Sequence, residues 1–316
     1  MGQPIKLSRN GRDPLAPADL PTLEAAILQA VAYVDMFDYP LSAAEIHRYL
    51  PGLPATPRQV SVALAEELLP RRQLGACQGY YSLPGREGLA ATRQRRAEQA
   101  ARLWPLAEQY GRIIAGLPFV RMVAVTGSLA VDNPAADSDV DYLIVTASGR
   151  LWLCRALVIL VVRLAARRGV SLCPNYFLSE RRLVLDDHNL YTARELAQMA
   201  PLSGLAVYER LRHLNDWVEA YLPNADGYPR PANGRRGASR RGRGLKTAAE
   251  WLLRLPPGAW AEKWEMGRKI ARFSRDGGDE AAFAADWCKG HFKSHGQRAL
   301  AAFERRWQQV GGRDIR

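Results

Sequence analysis

The segment FVRMVAVTGSLAVDNPAADSDVDYLIVTASG, residues 119–149, holds two apolar, β-prone runs separated by an acidic loop. Residues 119–126 are rich in β-branched and apolar side chains and end at Gly127-Ser128, which predicts a strand closed by a small-residue turn. Asp132, Asn133 and Pro134 mark the loop. Asp139-Val140-Asp141 then opens a second strand through residues 142–145. Residues two apart in a strand face the same way, so Asp139 and Asp141 are expected to present two carboxylates together. Two like charges held that close are costly unless a cation lies between them. Magnesium suits such a pair because it prefers oxygen ligands and accompanies nucleotide phosphates. Gly127 lets backbone approach a phosphate, and Ser128 can donate a hydrogen bond to it. The bland alternative is a hairpin whose acids are simply exposed near its turn.

Downstream, residues 150–168 have the pattern of a helix, with Gly169 as its stop signal. This is the most apolar part of the chain, but Arg155 and Arg163 leave only seven uncharged residues between them. A membrane span needs about 20, so a buried helix is expected. The next strand reads Ser-Leu-Cys-Pro-Asn-Tyr-Phe-Leu, residues 171–178, and contains no acid. Strand, crossover helix and strand over residues 117–180 predict a small mixed sheet in an α+β chain.

Upstream, residues 1–20 are expected to be a loose tail. Residues 23–34 carry apolar side chains at helical spacing. Ser42-Ala-Ala-Glu45 and Thr56-Pro-Arg-Gln59 have the form of capping boxes that start two further helices. Two short β-prone pieces around Gly75 and Gly79 then suggest a hairpin. Residues 85–116 predict a connecting helix, kinked or split at Pro105, with Arg93, Arg95, Arg96 and Arg102 on a solvated face. Beyond the sheet, residues 181–222 suggest a helical extension and residues 223–245 a flexible basic linker with few apolar side chains. Residues 246–316 suggest C-terminal helices. There, Cys288, His291 and His295 have spacings that would place them on one helical face, as transition-metal ligands or as ordinary packing.

Strand, Gly127-Ser128, ten intervening residues, then Asp-x-Asp on a second strand resembles the nucleotidyltransferase superfamily that includes DNA polymerase β. The resemblance implies that Gly127 and Ser128 help hold a nucleoside triphosphate. It also implies that Asp139 and Asp141 are catalytic and bind two magnesium ions. In that family a third carboxylate follows on a later strand and often activates the attacking hydroxyl. Here Asn175 takes that place and is expected to contribute to nucleotide binding, with Glu180, Asp186 and Glu195 as the nearest acids. Residues 173–176 and 191–196 are also similar to runs in bacterial proteins that join a winged helix to such a domain. Three helices and a hairpin over residues 21–84 resemble a winged helix-turn-helix domain, which implies DNA contact through Arg58 and Gln59. Glu66 and Glu67 nearby would be repelled by phosphate.

The composition agrees with a globular chain: 316 residues, 47% hydrophobic and 24% charged. It excludes a collagen-like or disordered protein. With 44 Lys+Arg against 32 Asp+Glu the net charge is +12, which fits an anionic partner or a merely solubilising surface. Arg235, Arg236, Arg240 and Arg241 in the basic linker are candidate nucleic-acid contacts. Four cysteines without a CxxC pair, and a start without a signal peptide's apolar core, set the expectation of reduced thiols in a cytoplasm, with no membrane partner. The function expected is magnesium-dependent transfer of a nucleoside monophosphate to a hydroxyl acceptor. The alternatives are a DNA-binding regulator whose degenerate transferase domain senses nucleotide, and a protein whose two domains serve only as interaction surfaces.

Overall fold

A computed structural model describes residues 22–230, 240–275, 282–289 and 292–310. The chain begins with α1 (Leu23–Asp35), whose first turn is capped by the Thr22 hydroxyl accepting from the Ala25 amide at 3.3 Å. The strand β1 (Leu41–Ser42) leads into α2 (Ala43–Arg48), and the capping box of Ser42 and Glu45 is formed. The same device, Thr56 with Gln59, starts α3 (Pro57–Val62), which continues as a π-helical stretch over Ala63–Leu68. The strands β2 (Gly75–Cys77) and β3 (Tyr80–Ser82) form the hairpin, and β1 completes a three-stranded sheet in the order β1-β3-β2.

The next helix, α4 (Leu89–Gly116), runs through Pro105 as one element. The expected split does not occur, because Trp104, Ala107, Tyr110 and Ile114 on both sides of the proline are buried against the central sheet. The Tyr142 hydroxyl also donates to the Ala107 carbonyl at 2.7 Å. Nor are all of its arginines solvated. Arg93 is buried, pairs with Glu45 at 2.8 Å and donates to the Val131 carbonyl at 2.9 Å. Arg96 bonds the Phe37 carbonyl and the Asn133 side chain.

The central sheet is mixed, in the order β7-β4-β5-β6-β9-β8. Its middle is built from β4 (Val120–Val125), β5 (Val140–Thr146) and β6 (Leu172–Ser179). The first two are antiparallel, while β5 and β6 are parallel and joined by the crossover helix α6 (Leu151–Ala166). Only one face of α6 is covered. Leu160 and Leu164 remain exposed, so the helix is less buried than its apolarity suggests. The remaining strands come from segments expected to be helical. After α7 (Leu190–Gln198), residues 200–203 form the edge strand β7 beside β4. Near the C-terminus, β8 (Ala282–Phe283) and β9 (Trp287–Lys289) extend the other edge beside β6. Runs of two to four residues are too short for periodicity to register, and pairing with a preformed edge makes them strands.

The helices α8 (Leu205–His213), α9 (Val218–Tyr221), α10 (Arg240–Leu253), α11 (Pro256–Arg275) and α12 (Phe292–Gln309) complete the described chain. The basic linker therefore ends earlier than expected, since residues 240–245 already belong to α10. Arg230 pairs with Asp132 at 2.5 Å and stacks over Trp104.

One sheet face packs Tyr142, Ile144 and Val123 against Trp104 of α4 and Trp152 of α6. The other packs Met122, Leu143 and Val145 against α7 and α8 in a core continuous with Ile27, Leu41 and Leu64 of the N-terminal unit. The two sequence segments thus share a core. Among the described residues no helix is long and apolar enough to cross a membrane.

Candidate functional site

The crossover topology brings three strand ends to one place. Parallel pairing sets Asp141 opposite Cys173, and the Thr126 amide donates to the Asp141 carbonyl at 3.0 Å, so the turn after β4 lies beside the start of β5. Gly127 begins the four-residue helix α5 (Gly127–Ala130) with φ +66°, in the left-handed region that favours glycine. A Cβ there would stand 2.3 Å from Asp141 Oδ2, so any side chain at this position would push that carboxylate aside. The small-residue turn and the carboxylate are in direct apposition.

A cavity of about 490 Å3 opens at this point. Gly127, Ser128, Asp139, Asp141 and Asn175 all line it. Asp139, Asp141 and Cys173 each bring a ligand atom within 4.8 Å of the others, a spacing at which they could share one cation. No ion pair among the described residues ties either aspartate to an arginine or lysine. Asn175 Nδ2 donates to Asp141 Oδ1 at 2.5 Å, and Cys173 Sγ donates to Asn175 Oδ1 at 3.0 Å. The asparagine therefore holds Asp141 in position and spends its amide group on that carboxylate.

The electrostatics follow from this crowding. Burial pushes the Asp141 carboxyl up to about 7, with the charges of Asp139 and then Glu195 adding to the effect and the Cys173 thiol opposing it. The Cys173 thiol is itself raised, by burial and by the same two aspartates. A cation at the pair would relieve the repulsion that raises them.

Sequence offered Glu195 only as one of three nearby acids, and it did not single out Arg194, Tyr191 or Tyr33 as site residues. Glu195 lines the wall from α7, and burial pushes its carboxyl up to about 7 against the opposing charge of Arg194 and the Gly127 amide. The nearby acids Glu180 and Asp186 are engaged elsewhere, with Arg121 and Arg182 respectively. Arg194 is 4% exposed, lies over the rings of Tyr49 and Tyr33, and has an Nε without a hydrogen-bond partner. Among the described residues it is the sole basic side chain lining the cavity. Tyr191 and, from the N-terminal unit, Tyr33 complete this side. The run Tyr-Thr-Ala-Arg-Glu-Leu at 191–196 stood out in the sequence, but nothing local shows that α7 turns Tyr191 and Glu195, one turn apart, toward β5.

The remaining candidates lie apart from this cavity. Arg58 is exposed on α3, and the Gln59 side-chain oxygen accepts from the Thr56 amide at 2.8 Å and hydroxyl at 2.9 Å, which occupies it in the cap. Arg235 and Arg236 are outside the described residues, as are the side chains of Arg240 and Arg241. Cys288 is buried on β9 opposite Phe177, so the expected single helical face with His291 and His295 does not form. His291 and the His295 side chain are also outside the described residues. No family of known proteins, no curated protein and no solved structure matches this chain.

Proposed function

We propose that this chain is a magnesium-dependent nucleotidyltransferase that moves a nucleoside monophosphate from a triphosphate to a hydroxyl acceptor. The supporting observation is the convergence of Asp139, Asp141, Gly127 and Ser128 on one cavity large enough for a nucleotide. The carboxylate pair fits a divalent cation, since its oxygen donors are clustered and burdened by mutual repulsion. Magnesium held by Asp139 and Asp141 would supply charge neutralisation at the triphosphate.

The chain's own groups account for the rest. Gly127 lets the backbone approach a phosphate, Ser128 donates to it, and Arg194 presents a buried cation toward the polyphosphate. Asn175 fixes the orientation of Asp141. The acceptor oxygen bonds to the α-phosphorus as the bond from that phosphorus to the bridging oxygen breaks, and pyrophosphate leaves. The hydroxyl proton passes to the Glu195 carboxylate, which takes the part of the third acid missing at Asn175.

The order α1-β1-α2-α3-β2-β3 supports a winged-helix reading of the N-terminal unit. Its use here is as a wall of the site, because Tyr33, Val34, Phe37 and Tyr39 all line the cavity. The test is incubation with labelled nucleoside triphosphates, magnesium and cell extract, comparing wild type with Asp139→Asn. Wild type should yield labelled product, and the variant should lose at least about a hundredfold in rate. No product from wild type, together with binding of duplex DNA, would replace this reading with the nucleotide-sensing regulator.

A further inference from the structure

A second cavity, of about 270 Å3, lies beside the first. Tyr191 and Glu195 line both, so this face of α7 is the partition between them. Both are lined by polar and apolar side chains. The first holds Asp139, Asp141, the amides of Asn133, Asn175 and Gln198 and the buried Arg194. The second has Leu143, Leu185, Leu196, Met199 and Trp287 on its inner wall, with Tyr176 and Thr192 among them. Its exposed polar residues, Arg182, Asp186 and Asp187, form a rim, and Arg182 pairs with Asp186.

Deeper in, Thr126 lines the same space. It is 4% exposed, and its Oγ1 has no hydrogen-bond partner among the described residues. Buried hydroxyls are nearly always paired, so an orphan beside a cavity points to a ligand group or a water. Thr126 also directly precedes the Gly127-Ser128 turn, and its amide is bonded to the Asp141 backbone. The unpaired hydroxyl therefore sits where the apolar space meets the acidic one.

We propose that the second cavity is the acceptor subsite, and that it takes a small molecule with an apolar ring or short-chain body whose single hydroxyl is seated among Thr126, Tyr191 and Glu195. The acceptor role rests on the nucleotidyltransferase reading, whereas the class of ligand does not. The volume corresponds to about nine water molecules at roughly 30 Å3 each, the scale of a single-ring compound. A sugar or a nucleic-acid strand would set some of its hydroxyls against the leucine, methionine and tryptophan side chains of the inner wall, which disfavours both. An apolar body with one hydroxyl leaves nothing unpaired and presents its oxygen at the partition, toward the proposed triphosphate site.

The test uses 4-ethylphenol and ethylbenzene as probes, titrated calorimetrically into the full chain without nucleotide or magnesium. Wild type should bind the phenol saturably and about three- to tenfold more tightly than the hydrocarbon, the range for one buried hydrogen bond. Thr126→Val should weaken that preference while leaving ethylbenzene binding unchanged. Val184→Trp, placed at an exposed rim position, should block both probes while its circular dichroism and melting match wild type. Absence of saturable binding to wild type overturns the proposal. So does unchanged binding in a folded Val184→Trp, or equal affinity for the two probes, which would mark an apolar void with water at Thr126.

The acceptor role has its own readout. In the labelled-triphosphate assay with the small-molecule fraction of cell extract, Val184→Trp should lose transfer while keeping triphosphate binding, and retained transfer overturns that role. If wild type binds the phenol but transfers no label, the transferase reading and the acceptor role fall together, and the assigned ligand class stands.

Discussion

The Asp141 carboxylate is the residue on which most of the site depends, and its chemistry sets a pH dependence. Its ordinary value is 3.8, and in the folded chain burial and neighbouring acids push it to about 7. The folded state thus holds this proton more tightly than the unfolded chain. Stability from this group is greatest below the ordinary value and is lost as pH rises toward 7. Asp141→Asn should therefore raise the melting temperature of the metal-free protein by a few degrees at pH 8. The difference should shrink as pH falls toward 4, and equal melting at pH 8 would show that the charge is not strained. Magnesium should raise the melting temperature of wild type at pH 8 but not that of the variant. The Gly127-Ser128 and Asp-x-Asp pattern was legible because each motif sits at the end of a nearly continuous apolar, β-prone run. Which of the three nearby acids faces the site, and that Arg194 does, was not legible, since both depend on how α7 is rotated against β5.

At the scale of elements, the crossover helix α6 has no side-chain cap of its own. Instead Glu262 of α11 accepts from the Trp152 and Leu153 amides at 2.9 and 2.7 Å, and so closes the N-terminus of α6 from about 110 residues away. Glu262→Ala should cost about 1–2 kcal/mol in chemical denaturation, the range for a lost N-terminal cap. Glu262→Gln, which keeps an acceptor, should cost less. A loss below about 0.3 kcal/mol for the alanine variant would mean that water replaces the carboxylate without penalty. Helix starts at Ser42 and Thr56 could be read from sequence because capping boxes are local. The start of α6 could not be read in this way, because its cap comes from another element. Pro105 carries the same lesson in reverse, since a local breaker is overruled by burial on both sides.

At the scale of the whole molecule, the two ends of the described chain meet. Asp35, at the end of α1 and nearly inaccessible, pairs with Arg86 at 3.0 Å and with Arg306 of α12 at 2.8 Å. Phe303 of α12 meets Tyr33 edge to face at 5.6 Å. Tyr33 also lines the cavity that holds the acids, so α12 buttresses a wall of the site. Arg306→Ala leaves a buried carboxylate with one partner fewer and should cost about 1–3 kcal/mol in denaturant unfolding. An unchanged midpoint would show that Arg86 alone satisfies Asp35. Glu250 of α10 ties the same C-terminal region to the first strand of the sheet. It accepts from the Phe119 amide and from Arg121, both at 2.8 Å.

Local patterns were enough to establish the α+β character, the three central strands, the capped starts of α2 and α3, and the small-residue turn paired with two acids. Each of these is encoded within a few residues, through short apolar β-prone runs, capping and backbone permissiveness. What depended on folding was everything that long-range burial arranges: the edge strands borrowed from segments 181–222 and 246–316, the shared core, and the cavity closed by α1 and α7. Hydrophobic burial is non-directional, so sequence shows which residues must be covered but not which distant element covers them. The same holds for the second cavity beside Thr126, whose walls come from β5, β6, residues 182–187, α7 and β9 and meet only in the folded chain.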